Sequence, residues 1–376
     1  MLVVFGTRPE AIKMAPVISA IRGLEKEFIL QICVTGQHRK MLDQVLEIFN
    51  LHPDFDFNVM TTGQDLTDVC TSVLIEMREL FRSNKPDIVL VHGDTTTTMA
   101  TALAAFYAGI PVGHVEAGLR TFDIHSPYPE ELNRQVVSRI AKFHFAPTEE
   151  CRKNLTRELV QNDSIWVTGN TVIDALRITL SRIHTDVALD AKIQKELRNI
   201  LSFDFSDSNY ILITGHRREN FGDGFIKICS AIKELAEKFP FFHFVYPVHL
   251  NPNVQKPVTE MLEGIPNIHL IEPQDYLNFL VLLENCYFVI TDSGGIQEEA
   301  PSLGKPVLVM REVTERPEAI AAGTVKLVGT NKAKLVTEVT QLIEDKNYYL
   351  SMSQAHNPYG DGFAAARIVE VLQSRI

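Results

Sequence analysis

Five cysteines in 376 residues, none spaced as Cys-x-x-Cys, leave too little sulfur for a disulfide framework or a thiolate zinc site. The odd number and wide scatter of Cys33, Cys70, Cys151, Cys229 and Cys286 fit reduced packing thiols. No apolar run approaches the roughly 18 residues of a membrane span. The chain opens directly on the strand-like run Leu2-Val3-Val4-Phe5, without the basic segment and cleavage site of a secretory leader. A cytoplasmic protein with no membrane partner is therefore expected. Positive charge is also scarce. Lys and Arg number 36 against 47 Asp and Glu, for a net charge of −11. That balance argues against a nucleic-acid partner, which needs a broad basic footprint, but not against a local anion pocket. Motifs for resident cofactors are missing too. Gly222-Asp223-Gly224 lacks the third small residue of a dinucleotide fingerprint, and Gly360-Asp361-Gly362 follows no strand. There is no P-loop and no His-Glu-x-x-His pair, so no cofactor and no metal is expected.

What is present is an ordinary globular composition, 45% hydrophobic and 22% charged, long enough for two domains. Short β-rich runs alternate with amphipathic helical stretches. Strands are expected at 2–5, 29–34, 87–91, 112–115, 143–146 and 165–167, then at 210–214, 242–246, 268–271, 287–291, 306–309 and 325–328. Helices are expected at 9–23, 39–49, 67–82, 95–107 and 130–140, across much of 169–208, and at 360–374. Runs such as Ile88-Val89-Leu90-Val91 are apolar on both faces, as in a parallel sheet covered by helices. The fold class that follows is α/β, with two Rossmann-like doubly wound domains and a cleft between them. The expected boundaries are 1–169, 170–359 and a C-terminal helix, 360–376, returning to the first domain.

Ligands of doubly wound sheets collect beyond the carboxyl ends of strands, so the residues that follow each strand are the candidates. After 2–5 come Gly6-Thr7-Arg8-Pro9-Glu10 and, one turn into the helix, Lys13. This is either an anion site at a helix start or a glycine turn with solvated charges. After 87–91 come His92-Gly93-Asp94 and four threonines, Thr95 to Thr98, with Asp94 either a tuned carboxylate or a helix cap. After 112–115 comes Glu116, which is costly against an apolar strand unless paired or used. Glu130 and Arg134 stand four residues apart, the spacing of a surface ion pair. Asp94, Glu116 and Glu130 together make a three-carboxylate acid/base group. If they are close, repulsion is expected to raise at least one pKa. In the second half His216 and Arg217 follow one strand and His249 another, each also readable as a structural strand-end histidine or cation. Ser293-Gly294-Gly295 opens a helix after 287–291, where bare N–H groups and the helix dipole suit a diphosphate. Arg311 and Arg316 add cations along that edge.

Read together, Gly6-Thr7-Arg8-Pro9-Glu10-Ala11-Ile12-Lys13, His92-Gly93-Asp94-Thr95-Thr96-Thr97-Thr98, His114-Val115-Glu116-Ala117-Gly118-Leu119-Arg120, Gly215-His216-Arg217-Arg218-Glu219 and Asp292-Ser293-Gly294-Gly295-Ile296-Gln297-Glu298-Glu299 resemble the non-hydrolysing UDP-N-acetylglucosamine 2-epimerases of bacteria. The likeness runs in order along nearly the whole chain. It implies a GT-B-like pair of Rossmann domains and a homodimer. The implied reaction is cofactor-free interconversion of UDP-GlcNAc and UDP-ManNAc through a 2-acetamidoglucal, for surface polysaccharide synthesis. It implies an acid/base group of Asp94, Glu116 and Glu130 assisted by His216. It implies substrate contacts from Arg8, Lys13, Arg134, Gln274, Phe279, Ser293, Gly294, Gly295, Glu299 and Arg316. It also implies an activating second UDP-GlcNAc near Gln37, Arg217 and His249, although Lys40 stands where the family leads one to expect glutamine. The alternatives are a hydrolysing 2-epimerase and a GT-B glycosyltransferase.

Overall fold

The computed structural model describes residues 1–36, 39–61 and 63–376. The chain divides into two compact units, residues 1–175 with 359–376, and residues 176–358.

The first unit is built on seven parallel strands: β1 (Leu2–Phe5), β2 (Gln31–Val34), β3 (Phe55–Asp56), β4 (Val89–His92), β5 (Val112–Val115), β6 (Phe143–Ala146) and β7 (Ile165–Val167). Their order is β3-β2-β1-β4-β5-β6-β7. β1, β4, β5 and β6 are buried at every residue, which is why β1 and most of β4 read as apolar runs, while His114 and His144 interrupt β5 and β6. Leu2, Val4, Val89 and Val91 pack against Val73, Met77, Leu80 and Phe81 of the helix Leu66–Ser83. β3 was not foreseen. It is a two-residue edge strand, too short to carry an alternating pattern. The last helix runs Ala364–Arg375 rather than 360–374, because Gly360 and Gly362 hold φ of +123° and +82°. It packs on the helix Arg8–Arg22 within the same unit.

The second unit holds six parallel strands: β8 (Tyr210–Thr214), β9 (His243–Pro247), β10 (Ile268–Ile271), β11 (Phe288–Thr291), β12 (Val307–Val309) and β13 (Val325–Leu327). Their order is β10-β9-β8-β11-β12-β13. Ile211, Ile213, Phe244, Phe288 and Ile290 form its core with Phe225, Ile228, Ile232 and Leu235 of the helix Asp223–Lys238. Two helices, Thr171–Thr185 and Val187–Ile200, fill the stretch before β8.

Each sheet reverses its winding direction once, between β1 and β4 and between β8 and β11. At such a switch point the flanking connections leave in opposite directions and open a crevice beyond the strand ends. Among the described residues, no helix is long and apolar enough to cross a membrane.

Candidate functional site

In the first unit the loops after β1, β4 and β5 are tied together by buried carboxylates. Glu10, in the first turn of the helix Arg8–Arg22, accepts from the backbone N–H of Gly6 (3.0 Å) and Thr7 (2.7 Å) through Oε2. Its Oε1 accepts from the hydroxyls of Thr95 (2.7 Å) and Thr98 (3.0 Å). That contact accounts for part of the threonine run: two of the four hydroxyls face Glu10. Thr95, not Asp94, caps the helix Thr96–Tyr107, accepting from Thr98 N at 3.1 Å. The capping alternative for Asp94 is thereby set aside.

Lys13, one turn beyond Glu10, is buried and forms an ion pair with Glu116 at the end of β5. Asn170 Nδ2 donates to the same Glu116 oxygen at 3.2 Å, and His92 Nε2 lies 3.3 Å from it. Burial alone would raise the Glu116 carboxyl. The Lys13 charge, then His92, outweighs it and holds this group well below the ordinary carboxylate range. Glu116 also sits at φ +65°, a left-handed conformation that costs a non-glycine residue about 1–3 kcal/mol and is found where surroundings impose it.

Asp94 is bound through Oδ2 by Arg134 Nε (2.9 Å) and Nη2 (2.7 Å), and Asn133 Nδ2 donates to its main-chain oxygen at 2.8 Å. Arg134 turns to Asp94 and Glu131 rather than forming the surface pair with Glu130. Glu131 in turn accepts from the N–H groups of Thr121 (3.0 Å) and Phe122 (3.2 Å). Glu130 begins the helix Glu130–Ile140, and its Oε2 is buried with no hydrogen-bond partner. The expectation of mutually repelling carboxylates is corrected at Glu116. Its charged neighbour is Lys13, and its pKa moves down instead of up. Arg120 of the same motif is structural: it binds Glu158 (2.6 and 2.9 Å) and Ser138 (2.6 Å). Arg8 is half-buried at the start of its helix.

In the second unit the loops after β8 and β11 meet at Asp292. This fully buried carboxylate accepts from His216 N (2.9 and 3.1 Å), Arg217 N (2.9 Å) and Asn220 Nδ2 (3.2 Å). His216 stacks on His249, with ring centroids 5.6 Å apart. Burial pushes the His216 imidazole pKa down, against the pull of Asp292, so the ring is neutral at neutral pH.

Gly294 and Gly295 open the helix Gly294–Ser302. A side chain on Gly294 would stand 2.6 Å from Arg316 Nη1, so the glycine is needed where the guanidinium crosses the helix start. Arg316 is buried and held by Glu298 (2.7 Å) and Glu315 (2.6 Å). Arg311 reaches Glu315 (2.9 Å) and Glu219 (2.7 Å). Burial by itself would raise Glu315. Arg316, then Arg311, brings it down to about 2. Gly295 is half-buried, and a side chain there would meet Glu299 Oε2 at an ordinary contact distance of 3.9 Å. Gln274 and Phe279, both half-buried, flank the turn from β10 into the helix Tyr276–Asn285.

Gln37 lies outside the described residues. Sequence reasoning missed Glu10, Glu131, Asp292 and Glu298 as organising groups. All four stand inside or beside the motifs, and no local spacing marks their distant partners. Among the described residues, no group of three or more His, Cys, Asp or Glu side chains is placed to hold a metal ion.

Two doubly wound parallel-sheet units in one chain, with charged and glycine-rich loops beyond the strand ends, define an α/β protein of the GT-B-like, two-Rossmann class. A family model described as UDP-N-acetylglucosamine 2-epimerase matches residues 22–373. The UDP-N-acetylglucosamine 2-epimerase of Salmonella typhimurium is 56% identical over 376 residues, covering 100% of this chain and 98% of the relative. The crystal structure of UDP-GlcNAc 2-epimerase from Neisseria meningitidis bound to UDP-GlcNAc superposes with a TM-score of 0.91 at 51% identity, covering 100% of this chain and 99% of that one. That from Methanocaldococcus jannaschii, in complex with UDP-GlcNAc and UDP, gives 0.83 at 35% identity, covering 99% of each chain. The chain belongs to the UDP-N-acetylglucosamine 2-epimerase family.

Proposed function

We propose that this protein interconverts UDP-GlcNAc and UDP-ManNAc without net hydrolysis. The C2 hydrogen of the sugar is not next to a carbonyl, so direct deprotonation is hard. The C1–O bond to UDP is a good place to break instead. A base takes the C2 proton, the C–H electron pair forms the C1=C2 bond, and UDP leaves with the C1–O electrons. Return of UDP to C1 and of a proton to the opposite face of C2 gives the epimer. No hydride moves, so the reaction has no need of a nicotinamide.

The observation that carries this reading is the differentiated set of carboxylates in the first unit. Glu116 is held ionised by Lys13 and suits electrostatic stabilisation of positive charge developing at the sugar ring. Glu130 keeps a buried oxygen without a hydrogen-bond partner, ready to exchange a proton with a ligand. Asp94, bound by Arg134 through Oδ2, presents Oδ1. The second unit supplies the nucleotide grip: the Ser293 hydroxyl and the N–H groups of Gly294 and Gly295 with Arg316 for the diphosphate, Glu299 for ribose, and Gln274 and Phe279 at the neighbouring loop. His216, neutral and stacked on His249, assists at the substrate. Arg8 completes the substrate contacts of the first unit. The same reading extends to a cytoplasmic homodimer serving surface polysaccharide synthesis, with Arg217, His249 and Gln37 receiving an activating second UDP-GlcNAc.

Incubation with UDP-GlcNAc in D₂O, with no cofactor added, tests the proposal by NMR. Deuterium at C2 and a mixture of the two UDP-sugars are expected. Free ManNAc with UDP would identify a hydrolytic enzyme instead. Absence of C2 exchange would remove the epimerase reading for this chain.

A further inference from the structure

Asp292 has two neighbours that its motif does not announce: the main chain and the ring of His216. The N–H groups of His216 and Arg217 and the amide of Asn220 point at its two oxygens, and Asn220 also donates to Met310 O at 3.1 Å. The loop after β8 is thus pinned to the end of β11, across the switch point of the second sheet. The His216 ring then lies with Nδ1 3.3 Å from Asp292 Oδ1, while its side chain remains 41% exposed. A carboxylate can only accept. A bare Nδ1 lone pair at that distance would face negative charge, whereas an Nδ1–H would be drawn to it. The stack against His249 limits the ring's freedom to turn away. Free neutral histidine prefers the opposite tautomer, with its proton on Nε2.

We infer that Asp292 is the positioning residue of His216, fixing the ring with its proton on Nδ1 and leaving Nε2 as a bare acceptor on the exposed side. The equivalent place in the first sheet supports the inference by parallel. Glu10 there joins the loops after β1 and β4 by the same device, a carboxylate accepting from two backbone N–H groups and two side chains. Asp292 differs in having an imidazole at its rim. The consequence is that His216 presents a hydrogen-bond acceptor, not a donor, to a ligand hydroxyl or amide. Orientation and tautomer control by a buried carboxylate behind a histidine is the logic of hydrolase triads, where the wrong tautomer costs orders of magnitude in rate. The role in turnover rests on the reading of His216 as a substrate-side group; the tautomer does not.

Protein labelled with 15N-histidine, with the His216 signals assigned by their loss in His216→Gln, tests the inference directly. In the full native chain near pH 7.5, two-bond 15N–1H spectra are expected to show His216 protonated at Nδ1. In Asp292→Asn the population is expected to move toward Nε2–H. With UDP-GlcNAc as substrate, kcat is expected to fall about 100-fold, while KM stays within roughly threefold. An Nε2–H ring in the native protein overturns the inference, even if Asp292→Asn does not fold. So does a tautomer that Asp292→Asn leaves unchanged. A tautomer shift in a protein that turns over no UDP-GlcNAc would sink the proposed function and leave this inference standing.

Discussion

Lys13 and Glu116 are a buried pair whose two halves depend on each other. Replacing Lys13 by Met leaves the Glu116 carboxylate in a buried setting without its main counter-charge. Breaking a buried pair in this way costs about 3–5 kcal/mol. The expected outcome is a large drop in the denaturation midpoint together with loss of C2 exchange. A variant as stable as the parent in urea would show that the Glu116 carboxylate does not depend on Lys13 for its counter-charge. The two adjacent glycines of the second unit separate by a different measurement. Gly294→Ala drives a methyl group into Arg316, which Glu298 and Glu315 hold in place, so both stability and UDP affinity should fall. Gly295→Ala meets no such obstacle and should fold with a melting temperature near the parent's. If a diphosphate approaches the backbone there, its UDP affinity should fall by about tenfold or more, or roughly 1.4 kcal/mol, by calorimetry. Unchanged UDP affinity in Gly295→Ala would place the diphosphate elsewhere.

At the scale of elements, the informative contacts join the start of one helix to the end of another strand. The helix Arg8–Arg22 carries Glu10 to the loop after β4 and Lys13 to the loop after β5, so its first two turns fix the geometry of three strand ends. Glu10→Ala removes the acceptor for two N–H groups at the helix start and for the Thr95 hydroxyl, while the Thr98 hydroxyl keeps His92 O at 2.6 Å. Orphaned buried donors cost about 1–3 kcal/mol each where water cannot reach them, so a loss of at least about 2 kcal/mol is expected in chemical denaturation. Glu10→Gln should recover much of it. Its amide oxygen can serve the backbone N–H groups, which only donate, and the threonine hydroxyls can turn to accept from its NH₂. Equal losses in the two variants would show that charge, not hydrogen-bond matching, is what this position supplies.

At the scale of the molecule, buried histidines in the first unit make its stability depend on pH. Burial, the largest effect on each, pulls His114 down to about 3 and His144 to about 4. Both values lie below the unfolded reference near 6.5. The unfolded chain therefore binds protons that the folded unit refuses, and stability falls as pH drops below about 6.5. Each ring removes roughly 2–3 kcal/mol by about pH 4.5. Glu116, with its depressed pKa, acts in the same direction as it is forced to protonate in more acid solution. Urea midpoints measured from pH 7.5 to 4.5 should fall steadily. His114→Gln, which keeps a donor for Gly93 O, should flatten the slope. A flat profile in the parent would contradict the burial of these rings.

Periodicity and punctuation carry most of the architecture. The apolar runs of β1, β4, β8 and β11 are legible because strands covered on both faces are mostly apolar, and the residues beyond them are legible because polar groups end such runs. The short edge strand β3 and the glycine-delayed start of the last helix were not legible, since neither has a periodic signal of its own. The motif residues were visible by type and order, but their partners were not. Arg134 finds Asp94 across 40 residues, Asp292 finds His216 across 76, Thr95 finds Glu10 across 85 and Lys13 finds Glu116 across 103. Three carboxylates read in a row suggest mutual repulsion. Folding sets the Lys13 cation against Glu116 and reverses the sign of its shift. Local chemistry written in the chain determined which residues stand at the strand ends. Only the tertiary structure decided which charges they meet there, because electrostatic energy depends on distance through space and desolvation, and neither is a property of sequence separation.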